Sequence, residues 1–144
     1  MSLTKKSVVM VDDDPDFIEV VKAILESEGS WEVVRTFNAL ESFLSWCSAN
    51  HHDQQSISPD ILIIDVFASN AASSEAFPLT GFHVALALRD LGLHFGTVIA
   101  SSMSSPSLIE LAQARHAGGW SYLTKSSDLE THDILNAAQM ALLP

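Results

Sequence analysis

Pro59-Asp60-Ile61-Leu62-Ile63-Ile64-Asp65 sets four consecutive large apolar residues between two aspartates. A run this short, rich in β-branched side chains, suits a strand rather than a helix. It has no polar position at all, so both of its faces are expected to be covered, as in the middle of a parallel sheet. The strand is read as Ile61 to Ile64, and it delivers Asp65 at its carboxyl end. A lone carboxylate at the end of so apolar a strand is costly unless a metal or an amine lies beside it.

Working outward, the same grammar repeats. Ser7 to Val11 is a β-branched run that stops at Asp12-Asp13-Asp14-Pro15, and Phe17, Val20, Val21, Ile24 and Leu25 then follow helical spacing from Pro15 until Gly29. Trp31 to Thr36 reads as a strand, Leu40 to Ala49 as a helix, and Asn50 to Pro59 as a polar connector. Beyond Asp65, helix three is expected over Gly81 to Leu91, strand four over Thr97 to Ala100 and helix four over Ser107 to Ala117. Strand five is expected over Ser121 to Leu123 and helix five over Leu129 to Leu142. Gly118-Gly119 reads as a helix stop, with no phosphate-cradling spacing around it. Five alternations of strand and helix call for an α/β doubly wound parallel sheet with helices on both faces.

Bulk properties narrow the function. The chain has 144 residues, 47% of them hydrophobic and 17% charged, which fits one domain, with its core over residues 5–143. A formal net charge of -11 argues against direct contact with nucleic acid or an anionic membrane. Cys47 is the single cysteine, so no intrachain disulfide forms, and a cytoplasmic setting is expected. No apolar run reaches membrane-spanning length, and the first residues lack a secretory segment. The chain stops at Pro144 directly after a helical pattern, as it would if an output domain had been removed.

In doubly wound sheets ligands sit beyond the carboxyl ends of the strands. Those ends carry Asp12 and Asp13, then Asp65, then Ser101, then Thr124 and Lys125. Converging carboxylates raise one another's pKa unless a cation sits among them. Magnesium, which takes one or two carboxylates together with phosphate oxygens and water, suits the group. An aspartate so placed can act as a nucleophile toward phosphorus, while a metal and a lysine neutralise the transferring oxygens.

The segments Val8-Val9-Met10-Val11-Asp12-Asp13-Asp14-Pro15, Pro59-Asp60-Ile61-Leu62-Ile63-Ile64-Asp65 and Tyr122-Leu123-Thr124-Lys125 together resemble the three signatures of response-regulator receiver domains of two-component systems. The resemblance spans essentially the whole chain and implies the flavodoxin-like (βα)5 receiver fold. It implies Asp65 as phosphoacceptor, with Mg2+ held by Asp12, Asp13, Asp65 and the backbone carbonyl of Phe67, Asp13 being a direct ligand. Ser101 then resembles the switch hydroxyl, Lys125 the lysine of the site, and Tyr122 the switch aromatic. The donor would be a phosphohistidine on a sensor histidine kinase or a histidine phosphotransfer protein. A downstream protein or output domain would dock on helix four, strand five and helix five, where dimerisation on phosphorylation is also compatible with the family. Such a domain is a signalling phosphoacceptor rather than a turnover enzyme, with self-catalysed transfer and slow autodephosphorylation.

The chain departs from the family in places. The glycine expected eight positions after the phosphoacceptor is found at Gly81, sixteen positions on, so the loop 66–80 carries about eight extra residues. Ala68 to Glu75 is small and polar, which suits either a flap beside the site or a tolerated surface insertion. Ser126 stands where proline is common, which predicts a more loosely placed Lys125, and Ser102 offers a second hydroxyl beside Ser101.

Other readings compete. Asp14 and Asp16 suit a helix N-terminus, where negative charge is favourable. Tyr122 could be plain packing on an edge-like strand, Trp120 reads as surface or interface packing, and Ile134, Ala138 and Leu142 are docking or core positions alike. His51, His52, His83, His94, His116 and His132 are scattered and are given no chemistry. A phosphatase resembling the haloacid dehalogenases, with Asp12 as nucleophile and Asp14 as acid/base, leaves Asp65 without work. A phosphorylation-independent pseudo-receiver would use the fold for binding alone, against the presence of three aspartates and Lys125.

Overall fold

The computed structural model describes residues 4–49, 59–66, 80–93, 95–102, 106–126 and 128–143. The expectations for Phe67, for the added residues of the loop 66–80, and for His51, His52 and His94 lie outside them. In chain order the elements are β1 (Lys6–Val11), α1 (Pro15–Glu28), β2 (Trp31–Phe37), α2 (Leu40–Ala49), β3 (Ile61–Asp65), α3 (Gly81–Asp90), β4 (Gly96–Ser101), α4 (Pro106–Arg115), β5 (Trp120–Thr124) and α5 (Thr131–Met140). The five strands form one parallel sheet in the order β2-β1-β3-β4-β5, the flavodoxin-like arrangement. The order reverses between β1 and β3, which opens a crevice beyond their carboxyl ends.

Side chains alternate across the sheet because the strand repeat is two residues. Val9, Val11, Leu62, Ile64 and Ile99 pack on one side with Phe43 of α2, Phe82 and Ala85 of α3, and Ala112 of α4. Val8, Met10, Ile61, Ile63, Val98 and Leu123 pack on the other with Val21 and Leu25 of α1 and Ile134 and Ala138 of α5. Each large apolar side chain buried this way contributes about 1.5–3 kcal/mol. The continuous hydrophobicity of β1 and β3 is therefore two interleaved cores.

Local chemistry fixes the helix ends. Asp14 caps α1, its Oδ1 accepting from the N–H of Asp16 at 3.0 Å and of Phe17 at 3.4 Å, with Pro15 at the first helical position. Gly29 ends that helix at φ 98°, a conformation other residues rarely adopt. Gly81 opens α3 with no room for a side chain, since a Cβ there would collide with the backbone oxygen of Asp65 and press on Ile64 Cγ1.

Two packing expectations are overturned. Trp120 is not a surface residue: it is 4% exposed and packs in the α3/α4-side core. Its Nε1 donates to the His116 carbonyl at 2.9 Å, and the Arg89 guanidinium carbon lies 4.4 Å from its ring centroid. Arg89 also donates to the carbonyls of Gly118 and Gly119, both in positive φ, so the glycine pair is a seat for Arg89 as well as a helix stop. Val20 does not face the core of α1. It is 51% exposed, and Ile18 takes the inward place beside Phe17, Val21 and Leu25. Among the described residues no helix is long and apolar enough to cross a membrane.

Candidate functional site

β1 and β3 end side by side, with Val11 opposite Ile64 in the ladder. The next residues, Asp12 and Asp65, therefore emerge together at the crevice. Asp12 is 2% exposed and Asp65 8%, while Asp13, one residue on, is exposed. One carboxylate oxygen from each of Asp12, Asp13 and Asp65 falls within a group whose members all lie within 4.8 Å of one another. Asp12 is held in place by its own loop: the Asp14 N–H donates to Asp12 Oδ1 at 2.9 Å.

β4 and β5 bring the remaining groups. Ser101 pairs with Thr124 in the ladder and is fully buried, whereas Ser102 is exposed, so the register favours Ser101 as the inward hydroxyl. The Lys125 N–H donates to the Ser101 carbonyl at 2.7 Å, which fixes the backbone just past β5. From there the ammonium reaches back over the crevice, with Nζ 2.7 Å from Asp12 Oδ2 and 3.4 Å from Asp65 Oδ2. Nζ also lies 4.8 Å from the centroid of the Phe17 ring, at the start of α1. One backbone bond, two carboxylates and an aromatic face surround Lys125.

Burial pushes the Asp12 carboxyl above its ordinary range, and the hydrogen bonds from Lys125 and from the Asp14 N–H offset only part of that. Burial alone would lower the Lys125 amine, but the hydrogen bond and charge of Asp12, with Asp65 behind them, outweigh it and leave the amine raised. Two buried carboxylates share one ammonium, with a third carboxylate at the rim. The excess negative charge and the all-oxygen donor set fit a hard divalent cation such as Mg2+. Asp12, Asp13 and Asp65 are the side chains that would hold it.

Asp14 does not join the cluster, because its carboxylate caps α1. That leaves the Asp12/Asp14 pairing of a phosphatase without its acid/base. Tyr122 is half-buried against the α3/α4-side core, on the edge strand β5. Ile134 and Ala138 are core, whereas Leu142 is partly exposed. Phe17 escaped the sequence reading as a site residue, since helical periodicity assigned it to the core alone. The available signal was an aromatic side chain in the first turn after an acidic pair.

No family model matches the sequence, and no curated protein matches it. Solved structures do match in shape. The signal receiver domain of NarL from Mycobacterium tuberculosis aligns over 95% of this chain and 95% of its own, at 24% identity and a TM-score of 0.69. The chemotaxis response regulator CheY4 of Vibrio cholerae aligns over 96% of this chain and 100% of its own, at 20% identity and a TM-score of 0.69. The isolated receiver domain of RcsB from Salmonella enterica, solved in the presence of the phosphomimetic BeF3-, aligns over 93% of this chain and 86% of its own, at 13% identity and a TM-score of 0.64. The chain has the receiver fold.

Proposed function

We propose that this chain accepts a phosphoryl group on Asp65 and passes on the change as a two-component signal. The observation that carries the reading is the meeting of Asp12, Asp13, Asp65 and the Lys125 ammonium at the sheet's switch point. That set is suited to an in-line displacement at phosphorus, where positioning and charge do nearly all the catalysis. A phosphohistidine of a sensor kinase or a phosphotransfer protein is the donor. A carboxylate oxygen of Asp65 attacks phosphorus, the phosphorus–nitrogen bond breaks, and the donor imidazole leaves with that electron pair. Lys125 neutralises charge on the transferring oxygens. Asp12, Asp13 and Asp65 would hold Mg2+, which when bound would supply further neutralising charge and orientation; the family resemblance adds the Phe67 carbonyl to that set.

In this reading Ser101 hydrogen-bonds the acquired phosphoryl group, and Tyr122 responds on the α4-β5-α5 face where a downstream protein, an output domain or a second copy docks. The chain works in the cytoplasm. The phosphomimetic used with the RcsB domain and the receiver fold itself support the assignment. Intact mass after incubation with acetyl phosphate tests it. One magnesium-dependent phosphoryl adduct, absent in Asp65→Asn, is expected. No adduct, in a preparation where a control receiver labels, would refute the proposal and favour a pseudo-receiver.

A further inference from the structure

The Lys125 ammonium is held at two levels. Asp12 and Asp65 attract it by charge, at 2.7 and 3.4 Å, and both of those carboxylates have other duties in the reaction proposed above. The Phe17 ring, 4.8 Å away, has none. An aromatic face attracts a cation through its quadrupole yet carries no net charge and offers no lone pair that competes with phosphoryl oxygens for the ammonium protons.

The ring is itself buried, at 8% exposure, in the α1/α5-side core. Phe17 sits in the first turn of α1, its N–H bonded to the capping Asp14, and Asp14 in turn donates to Asp12. The contacts close a circuit: Asp12 to Asp14, Asp14 to Phe17, Phe17 to Lys125, and Lys125 back to Asp12. The circuit supplies the restraint that Ser126, standing in place of a stiffer proline, leaves out on the other side of the lysine. Lys125, Phe17 and Ser126 also border the same open cleft of about 390 Å3, with Asp14, Asp16, Val20 and Leu129. Without the ring, the four-carbon stem of the lysine has that space to swing into.

We infer that Phe17 is a positioning residue for Lys125, its ring face keeping the ammonium over Asp65 when Asp12 turns its charge to a metal ion. The inference rests on the phosphoacceptor reading. It differs from an ordinary core role for Phe17, because a core role needs only apolar volume, whereas positioning needs the electrons of the ring.

The experiment substitutes the Phe17 side chain with mono-, di- and trifluorinated phenylalanine, which keep shape and burial while draining the ring face, alongside Phe17→Leu and Phe17→Tyr. Acetyl phosphate labelling at saturating Mg2+ gives the rate. The ring-current shift of the Lys125 ε-methylene protons, measured without metal, gives the contact independently of any chemistry. Labelling is expected to slow in order of fluorination, by about fivefold at the trifluorinated ring and about three- to thirtyfold in Phe17→Leu, with Phe17→Tyr close to wild type. The upfield shift of the Lys125 protons should be present in wild type and lost in Phe17→Leu. Equal rates across the series in a protein that labels would overturn the positioning role alone, as would a wild-type Lys125 without the ring-current shift. Failure of wild type to label would instead overturn the phosphoacceptor reading, and the role of Phe17 in it, even with the ring-current shift intact.

Discussion

Replacing Gly81 by alanine tests the junction between the long loop and the site. The added methyl would lie inside the contact distance of the Asp65 backbone oxygen and press on Ile64 Cγ1, both in a strand buried at every position. Neither is a flexible side-chain tip, so α3 has to back away or the Asp65 peptide has to tilt. Overpacking of this kind costs about 1–3 kcal/mol. Alanine recovers at most about 0.5–1 kcal/mol of the entropy that glycine loses on ordering. The net loss is about 1–2 kcal/mol, read as a drop of about 0.5–1 M in the urea midpoint. Because the displaced peptide is that of Asp65, acetyl phosphate labelling should slow as well. Gly29→Ala is the control: nothing lies within 4 Å of its added methyl, but φ is 98°. It should lose about 1–2 kcal/mol from backbone strain and keep its labelling rate. Wild-type stability and labelling in Gly81→Ala, beside a destabilised Gly29→Ala, would show that α3 does not start against Asp65.

Three further outcomes follow from the same geometry. Trp120→Ala should lower stability by about 3–5 kcal/mol in urea melts, as for a core aromatic, whereas a surface tryptophan would cost almost nothing. Asp90 is held below the ordinary carboxylate range by its hydrogen bond with His116 and by Arg115. A depressed folded pKa contributes stability that is present above the unfolded value and lost as pH falls through the folded one. Asp90→Asn should therefore be less stable than wild type at neutral pH, and the two should converge in acid below the usual carboxylate pKa of about 3.9. Mg2+ should raise the melting temperature of wild type, and Asp13→Asn should remove most of that rise and the metal dependence of labelling. An unchanged metal response in Asp13→Asn would place the ion elsewhere.

Much of the fold was legible because strand and helix announced themselves at different length scales. The unbroken apolar run of Ile61 to Ile64 could be satisfied only between two layers, and the runs of β1, β3 and β5 lead to Asp12, Asp65 and Lys125, which the sheet brings together. Asp12, Asp13, Asp65 and Lys125 were found because strand ends in such a sheet meet at one place whatever their separation in sequence. Individual packing choices were less legible. Val20 and Ile18 are both apolar and both near the helical stripe, and the packing of α1 on the sheet buries Ile18 and leaves Val20 exposed. Trp120 follows two glycines at the start of a strand, a place that reads as exposed. Its cover comes from Arg89, a residue whose charge hid it from any reading of the core. Phe17 and Lys125 lie on separate elements, and no local pattern states that they touch.

The alternation of side chains in the strands also divides the site itself. Asp12 continues the series of Val8 and Met10, Asp65 that of Ile61 and Ile63, and Lys125 that of Leu123, all on the side of the sheet roofed by α1 and α5. Ser101 continues the series of Ile99, on the side roofed by α3 and α4, where Tyr122 also packs. The sheet therefore acts as a partition with the charged groups in one room and the hydroxyl and the tyrosine in the other. The partition ends at the carboxyl rim of β4, so any event at Asp65 that is to be felt under α4 has to pass over that rim. Ser101 is the last residue of that strand.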